Sequence, residues 1–426
     1  IDDNWSEEAI HMKINCMNYW LNNFWFKKKN ITWFPYEVTE RICNFINFSQ
    51  QVSRKSDFDF EKYKNVILKK GYWLAQNLEY KEQVATGNHV FNNGRAILHA
   101  GIFCNDKNLI NLAFEIFKER LPHLVGNGFF FLEGSSHYHL LFHRWLLEIL
   151  KYARNENLKD IDQLITPYLN KIEIGSDFFV NIEHKELVLP LFGDISPDIE
   201  PLKIAGVRYC RLKGNKLIYN GPKKLIMKGS WPDLFCDVKK IWKEQNICLP
   251  NNKINNYEWQ CWRHFNWTLF SHNPHQFLEK SGHFHEDYTS FTLYLYGLPV
   301  IVDIGRGSYC DGVYEAIQQK SIKSHNSITL NGLSPAFFLP NRQDIPPYLK
   351  EFNSNINEEI DKSKLSINIQ NNGFSRFFKK SVTHIRNFEI SKNRFVVKDK
   401  IIGIGNYNFD WNINFGMAKS ELNGLL

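Results

Sequence analysis

The sequence predicts an α+β protein with two domains, helices in the first and antiparallel sheets in the second. Apolar residues recur at three- and four-residue steps up to about residue 175, and they alternate with polar residues beyond about residue 180. Because the two patterns occupy separate parts of the chain, they favour two packed domains over a mixed α/β sheet. The expected domains are 1–178 and 179–426.

Helical periodicity marks most of the first domain. Asn105 and Asp106 are typical capping residues before one helix, and Ser56 and Asp57 before another. Six or seven helices with short connections indicate antiparallel hairpins in a ring or superhelix, and the absence of a fixed repeat argues against a simple solenoid. The predicted helices span residues 10–26, 37–48, 58–78, 89–103, 108–120 and 136–154.

Short alternating runs bounded by Asn and Gly turns mark the second domain, as expected for antiparallel strands. The predicted strands span residues 207–212, 216–219, 262–270, 290–296, 299–303, 326–330, 364–369, 382–390 and 394–402. The strand-like ending, without a closing element, predicts truncation at the C-terminus.

Composition narrows the possible partners. Lys and Arg exceed Asp and Glu by 52 − 45, a net charge of +7, which is compatible with a polyanionic ligand. No block of like charges is present, so no nucleic-acid partner is expected. No apolar run approaches the ~20 residues that span a bilayer, so no membrane span is expected. Oligomeric state cannot be read from the sequence.

Cysteine usage bears on the compartment. The eight cysteines are scattered and form no C-x-x-C pair, which argues against a zinc ribbon or a redox motif. Scattered thiols without a signal peptide favour the cytoplasm. The chain begins at Ile1 rather than Met, so a periplasmic location after removal of an upstream signal stays open.

The densest group of chemistry-bearing residues is Gly282-His283-Phe284-His285-Glu286-Asp287. His285, Asp303 and His325 are residue types that bind zinc through nitrogen or oxygen. Antiparallel strands bring such distant positions together, so the sequence favours a metal site. The alternative is a hydrogen-bonded polar cluster at a domain interface.

A second group, Thr86-Gly87-Asn88-His89, opens a predicted helix. In one interpretation Asn88 caps that helix. In the other, Asn88 and His89 project from a helix N-terminus, where the helix dipole favours an anion such as a sugar carboxylate.

A third group, Glu133-Gly134-Ser135-Ser136-His137-Tyr138-His139, enters the helix that contains His143. His139 and His143 are four residues apart and could pair on a metal, but their Leu and Phe neighbours favour core packing of His143. Tyr138 lies at a loop-to-helix junction with polar neighbours, which favours a functional role.

These groups belong to a longer series of landmarks that occur in a fixed order. The series is Trp33-Phe34-Pro35-Tyr36, Gly87-Asn88-His89 with Asn93-Gly94-Arg95-Ala96, Glu133 to His139, Pro190-Leu191-Phe192-Gly193-Asp194, Gly282 to Asp287, Val302-Asp303-Ile304-Gly305, and Ser324-His325-Asn326. In this order they resemble the heparinase II/III family of polysaccharide lyases, in particular members encoded with bacterial surface-polysaccharide genes. The resemblance implies an incomplete (α/α) toroid followed by an antiparallel β-sandwich, with the cleft between them.

The resemblance also implies β-elimination on an acidic, uronate-containing polysaccharide. Asn88 and His89 match the groups that neutralise the uronate carboxylate, Tyr138 matches the catalytic tyrosine, and His283 matches a second base. His285, Asp303 and His325 match ligands of a structural zinc beside the cleft. Glu133, His137, Tyr309 and Tyr314 match substrate-binding positions, with the choice between the two tyrosines left open. Gln318-Gln319-Lys320 stands where relatives commonly carry arginine.

Two other functions fit the same residues. A C5-uronyl epimerase would form the same carbanion and reprotonate it on the other face. A non-catalytic glycan-binding protein would use the fold without the chemistry. The lyase reading further predicts that Tyr138 and His283 face each other across a gap the size of a sugar.

Overall fold

The structure is a computed structural model. It describes residues 7–24, 31–52, 60–81, 87–126, 128–238, 259–273, 283–306, 313–335, 354–378 and 381–416. Within these ranges, none of the helices combines the length and the apolar character needed to cross a bilayer.

The first half of the chain is helical, as predicted. Helix α4 packs against α2, α3, α5 and α6, while α7 packs against α5 and α6, the arrangement of antiparallel hairpins in an incomplete toroid. The predicted cap at Asp106 is confirmed, because its carboxylate accepts a hydrogen bond from Leu109 N; Ser56 and Asp57 lie outside the described residues. The helices are α1 (Glu7–Phe24), α2 (Pro35–Val52), α3 (Phe60–Ala75), α4 (Asn88–Cys104), α5 (Lys107–Val125), α6 (Ser136–Asn155) and α7 (Lys159–Phe179).

A connecting region follows, from β1 to β5. Its short elements share the helical core, and Trp231 donates an indole N–H to Glu148 of α6 at 3.0 Å. The elements are β1 (Asn181–Glu183), β2 (Glu186–Val188), α8 (Pro201–Ala205), β3 (Cys210–Lys213), β4 (Lys216–Tyr219), α9 (Trp231–Phe235) and β5 (Asp237–Val238). The predicted division between residues 178 and 179 stays a prediction.

Two antiparallel four-stranded sheets, β6-β7-β8-β9 and β11-β12-β13-β14, form the second half. Leu365, Ile367 and Ile369 alternate on the buried face of β12 and pack against Leu293 and Phe291 of the other sheet, which makes a β-sandwich. The elements are β6 (Trp259–His264), β7 (Trp267–His272), β8 (Phe291–Leu295), β9 (Leu298–Ile301), α10 (Val313–Lys320), β10 (Ile328–Leu330), β11 (Ser354–Ile360), β12 (Lys364–Asn371), β13 (Thr383–Ser391), β14 (Arg394–Ile402) and β15 (Phe409–Trp411).

Two predicted strands were wrong in detail. The run 262–270 is a hairpin of β6 and β7 that turns at Phe265, whose φ is 53°. The turn was hidden because an apolar residue occupies it. The run 207–212 begins as a 3₁₀ turn over Gly206–Tyr209, and the strand starts only at Cys210. Four residues are too few for alternation to separate a 3₁₀ turn from a strand.

Candidate active site

Tyr138 and His283 meet where the helical half contacts the sheet half. Ser135 is the N-cap of α6 and accepts a hydrogen bond from Tyr138 N at 3.1 Å, which fixes the tyrosine in the first turn. The phenol and the imidazole are stacked, with ring centroids 3.6 Å apart and an angle of 18° between the rings. The prediction of a sugar-sized gap between them is therefore wrong, and a substrate would have to approach the edges of this stack.

The stack is tight because two glycines let three backbone segments touch. Gly193 has φ +70°, and a Cβ there would lie 2.4 Å from Gly134 O and 2.8 Å from His283 O. At Gly134, with φ +67°, a Cβ would lie 2.4 Å from the Phe284 ring. No residue with a side chain fits either position. The backbone at Gly193 thus lies against both the loop before α6 and the segment that carries His283.

Asn88 is the first residue of α4, and its side chain points into the same site. The N-cap is Gly87, which has no capping side chain, so the capping interpretation of Asn88 is wrong. Its amide nitrogen donates to Glu133 Oε2 at 2.7 Å and lies 3.2 Å from His283 Nε2. Burial raises the pKa of Glu133 to about 8, against the opposing effects of its hydrogen bonds with Asn88 and the charge of Arg120.

His89 lies on the open side of the site, and its side chain is 45% exposed. Its Nδ1 lies 2.9 Å from Glu79 Oε1, and its ring is 4.9 Å from that of Tyr36. The Tyr36 hydroxyl donates in turn to Asp198. Glu79 and Tyr36 therefore neighbour His89, and Asp198 neighbours Tyr36. Sequence reasoning did not place these residues in the site, although Tyr36 belongs to the first landmark.

Asp194 contacts three other side chains of the site. Its buried carboxylate lies 3.0 Å from His283 Nδ1, 2.8 Å from His285 Nε2 and 3.2 Å from Lys320 Nζ. Burial alone would raise the pKa of Asp194, but the hydrogen bonds from the two histidines and the charge of Lys320 hold it well below its usual range. The Asp194 backbone joins the halves as well, since its carbonyl accepts from Ser135 Oγ at 2.7 Å and its N–H donates to His283 O at 3.1 Å.

Sequence reasoning recorded Asp194 only within a landmark and assigned it no role. One signal was available: an aspartate directly after the apolar run Pro190-Leu191-Phe192 implies a buried carboxylate that needs partners. Lys320 was noted only as a departure from relatives, yet it supplies one of those partners.

Two of the three expected zinc ligands are in direct contact, and the third lies nearby. His325 Nδ1 is 2.9 Å from Asp303 Oδ2, and the His285 and His325 rings are 5.0 Å apart. His285 Nε2, however, faces Asp194. Across the part of the chain that the structure describes, no group of three or more His, Cys, Asp or Glu side chains has the spacing of a metal site.

The remaining predicted residues differ in position. His137 is buried beside Tyr138 and its Nδ1 accepts from Ser196 N at 2.9 Å; burial lowers its pKa to about 4. His143 is also buried, 2.8 Å from Ser176 Oγ, which agrees with core packing. Tyr314 lies in α10, but its side chain is not described, and Tyr309 lies outside the described residues.

The described residues thus form a helical half and a β-sandwich, with the predicted site where the two join. Two sequence models of one family match the chain, the heparinase II/III N-terminus over residues 10–203 and the heparinase II/III-like C-terminal region over residues 251–423. The chain belongs to the heparinase II/III-like family. No curated protein matches it in sequence.

Solved structures share the fold. A crystal structure of heparinase III superposes with a TM-score of 0.66 at 15% identity, covering 97% of this chain and 62% of that one. Heparan sulfate lyase HepC from Pedobacter heparinus gives a TM-score of 0.55 at 15% identity, covering 95% of this chain and 60% of that one. This chain thus spans about three-fifths of the length of these structures, and the likeness at such identity concerns the fold.

Proposed function

We propose that this protein is a polysaccharide lyase that cleaves a uronate-containing, anionic glycan by β-elimination. The observation that carries the proposal is the stack of Tyr138 on His283 with the Asn88 amide 3.2 Å from the imidazole. This arrangement brings a phenol, a base and an amide together, the three kinds of group that the reaction requires. The family membership supports the same class of reaction.

Elimination at a uronate needs its carboxylate neutralised, its C5 proton removed and its leaving oxygen protonated. In the proposal, Asn88 and His89 at the start of α4 neutralise the carboxylate, where the helix dipole adds to the effect. His283 Nδ1 donates to the ionised Asp194, so Nε2 carries the lone pair that takes the C5 proton. Burial lowers the pKa of His283, partly offset by Asp194, which keeps the imidazole neutral and able to act as a base.

Tyr138 supplies the acid for the leaving oxygen. Its ring lies against the imidazole, so both groups can reach one sugar from the same side of the cleft. For substrates whose C5 proton points the other way, the phenol also serves as the base. Glu133 and His137 line the base of this region rather than its open face, since both are buried.

A structural zinc ion belongs to the same proposal. His285 Nδ1 and His325 Nε2 are buried ring nitrogens that have no hydrogen-bond partner among the described residues, and two imidazoles with a carboxylate are a common zinc donor set. Asp303, the carboxylate predicted as the third ligand, contacts the other nitrogen of His325 in the present geometry, which suits it to orient that ring rather than to bind the ion. The ion would hold in place the segment that carries His283. Metal analysis of H285A and H325A proteins tests this: both should lose the zinc that the wild type retains.

The lyase reaction is tested with a panel of uronate polymers of differing sulfation, heparan sulfate among them. Wild-type protein should generate the ultraviolet absorbance of an unsaturated uronate, and Tyr138→Phe and His283→Ala should each lower the rate by about 10²- to 10⁴-fold. Tyr152→Phe is a matched control, because it removes a buried hydroxyl from the same helix α6 that bonds Asn47 instead. Its rate should equal that of the wild type.

The rival functions give different results. Incorporation of solvent deuterium at C5 without the new chromophore would indicate an epimerase. Binding of a polymer with neither change, unaffected by Tyr138→Phe, would indicate a glycan-binding protein and would contradict the catalytic proposal.

A further inference from the structure

The carboxyl group of Glu133 forms a triangle with two of the proposed catalytic groups. Its Oε2 lies 2.7 Å from Asn88 Nδ2 and 3.3 Å from His283 Nε2, and the latter two atoms are 3.2 Å apart. All three side chains are largely buried, Glu133 and Asn88 at 2% exposure each. The three polar atoms share only a few hydrogens. Whether Glu133 carries a proton therefore decides which hydrogen bonds Asn88 and His283 can form.

The Asn88 amide is turned the wrong way for its proposed task. To neutralise a uronate carboxylate it must donate an N–H, yet its nitrogen faces Glu133 and His283. None of the described donors reaches its Oδ1, so the amide offers an acceptor on that side. A uronate carboxylate on that side would therefore face the partial negative charge of the Asn88 amide oxygen.

We infer that Glu133 is a positioning residue that sets the orientation of the Asn88 amide. As a neutral acid, Glu133 donates its O–H to Asn88 Oδ1, and the amide turns over so that Nδ2 faces the substrate carboxylate. As a carboxylate, Glu133 binds Nδ2 itself and withholds it. The two amide orientations have nearly the same shape, so the turn requires little rearrangement of the packing.

The same turn has a second consequence. His283 Nε2 no longer receives an N–H from Asn88, so its lone pair becomes available for the C5 proton. The inference rests on the proposed lyase function, in which both groups act on one uronate. The inference also explains what a neutral Glu133 would do. A glutamate that only accepted hydrogen bonds from the start of α4 would have no need of a proton.

The surroundings of Glu133 favour the neutral acid near pH 7. Burial raises its pKa to about 8. Among the described residues, the charged and titratable groups that face it include Arg120 from α5 and His283 from the sheet half, while Asn88 of α4 presents neutral N–H groups. The positive charge of Arg120 opposes this rise.

The experiment measures binding in a background without turnover. Tyr138→Phe and the double variant Tyr138→Phe/Glu133→Gln are titrated with glucuronate from about pH 7 to about pH 9.5. In the single variant, Kd should rise about tenfold per pH unit above about pH 8, as required when one proton is needed for binding. In the double variant Kd should stay level, because glutamine keeps an N–H donor for Asn88 Oδ1 at every pH. Tyr138→Phe/Glu37→Gln is the control and should keep the rise, because Glu37 lies in the first turn of α2 and is not one of the three groups of the triangle.

An identical rise in the Glu133→Gln background, or no glucuronate binding by Tyr138→Phe, overturns the inference. The infrared spectrum of wild-type protein labelled with ¹³C-glutamate gives a second measurement that needs no variant. A protonated-acid band that shifts with the label should disappear near pH 8, and its absence at pH 7 also overturns the inference. A protein that shows the expected binding but forms no unsaturated product contradicts the lyase reaction alone.

Discussion

Replacing Asp194 by asparagine tests whether one carboxylate organises the site. The substitution keeps the shape but removes the negative charge that His283, His285 and Lys320 share at 2.8–3.2 Å. Removing one partner from a buried ionic group costs about 3–5 kcal/mol, and the retained hydrogen bonds of the amide place D194N near the lower limit. Because the His283 tautomer is no longer enforced, the rate should also fall roughly 10- to 100-fold.

The assay pairs urea unfolding with initial rates on a polymer that the wild type cleaves, both per folded molecule. Asp399→Asn is the matched control: the Asp399 side chain is equally buried and lies 2.7 Å from His384 and 2.8 Å from Arg386, with no contact to Tyr138 or His283 among its hydrogen bonds and ion pairs within the described residues. It should lose similar stability and keep its rate. A D194N protein that cleaves within twofold of the wild type would refute the reasoning.

Three further outcomes are expected. Gly193→Ala should lower stability by about 1–3 kcal/mol and abolish most activity, since its Cβ would strike two backbone carbonyls; unfolding and rate measurements on one preparation check this. Glu133→Gln should raise the free energy of unfolding by about 3 kcal/mol at pH 7, with the gain vanishing below about pH 4.5. The reason is that an ordinary glutamate ionises from 4.5 on unfolding while Glu133 stays neutral up to about 8, so wild-type stability falls between those values. Tyr36→Phe should raise KM about tenfold with little change in kcat, because the hydroxyl that reaches Asp198 beside His89 is lost; steady-state kinetics decide.

Much of the fold could be predicted from periodicity. Helices α2, α4 and α6 and strands β4, β12, β13 and β14 lie where the apolar spacing places them. In β12 and β13 the reason is plain, because alternate residues are buried. Interruptions were harder to predict. Phe265 turns a hairpin with an apolar residue, and alternation alone continues through it.

For the candidate site, the sequence could predict which residues lie near one another but not how they are arranged. The residue types at Tyr138, His283, Asn88 and His89 singled them out as candidates, and the structure brings all four within one region. Their spacing could not be predicted, because it depends on contacts between residues about 90 to 195 positions apart, such as Asp194 with His283 and Asn88 with His283. No local pattern encodes such distances, so the expected gap between the two rings proved to be a stack.

The meeting of three backbones at Gly193 restricts how members of the family can be recombined. Consider a chimera that joins the helices of this protein to the sandwich of a relative. Its site would keep the present geometry only if residues 193–194 and 283–285 came from the same parent, because these segments touch through backbone atoms, which cannot adjust as side chains do. Because Gly193 also touches Gly134 and Asp194 O accepts from Ser135, residues 134–135 would have to match that parent as well, wherever the crossover is placed.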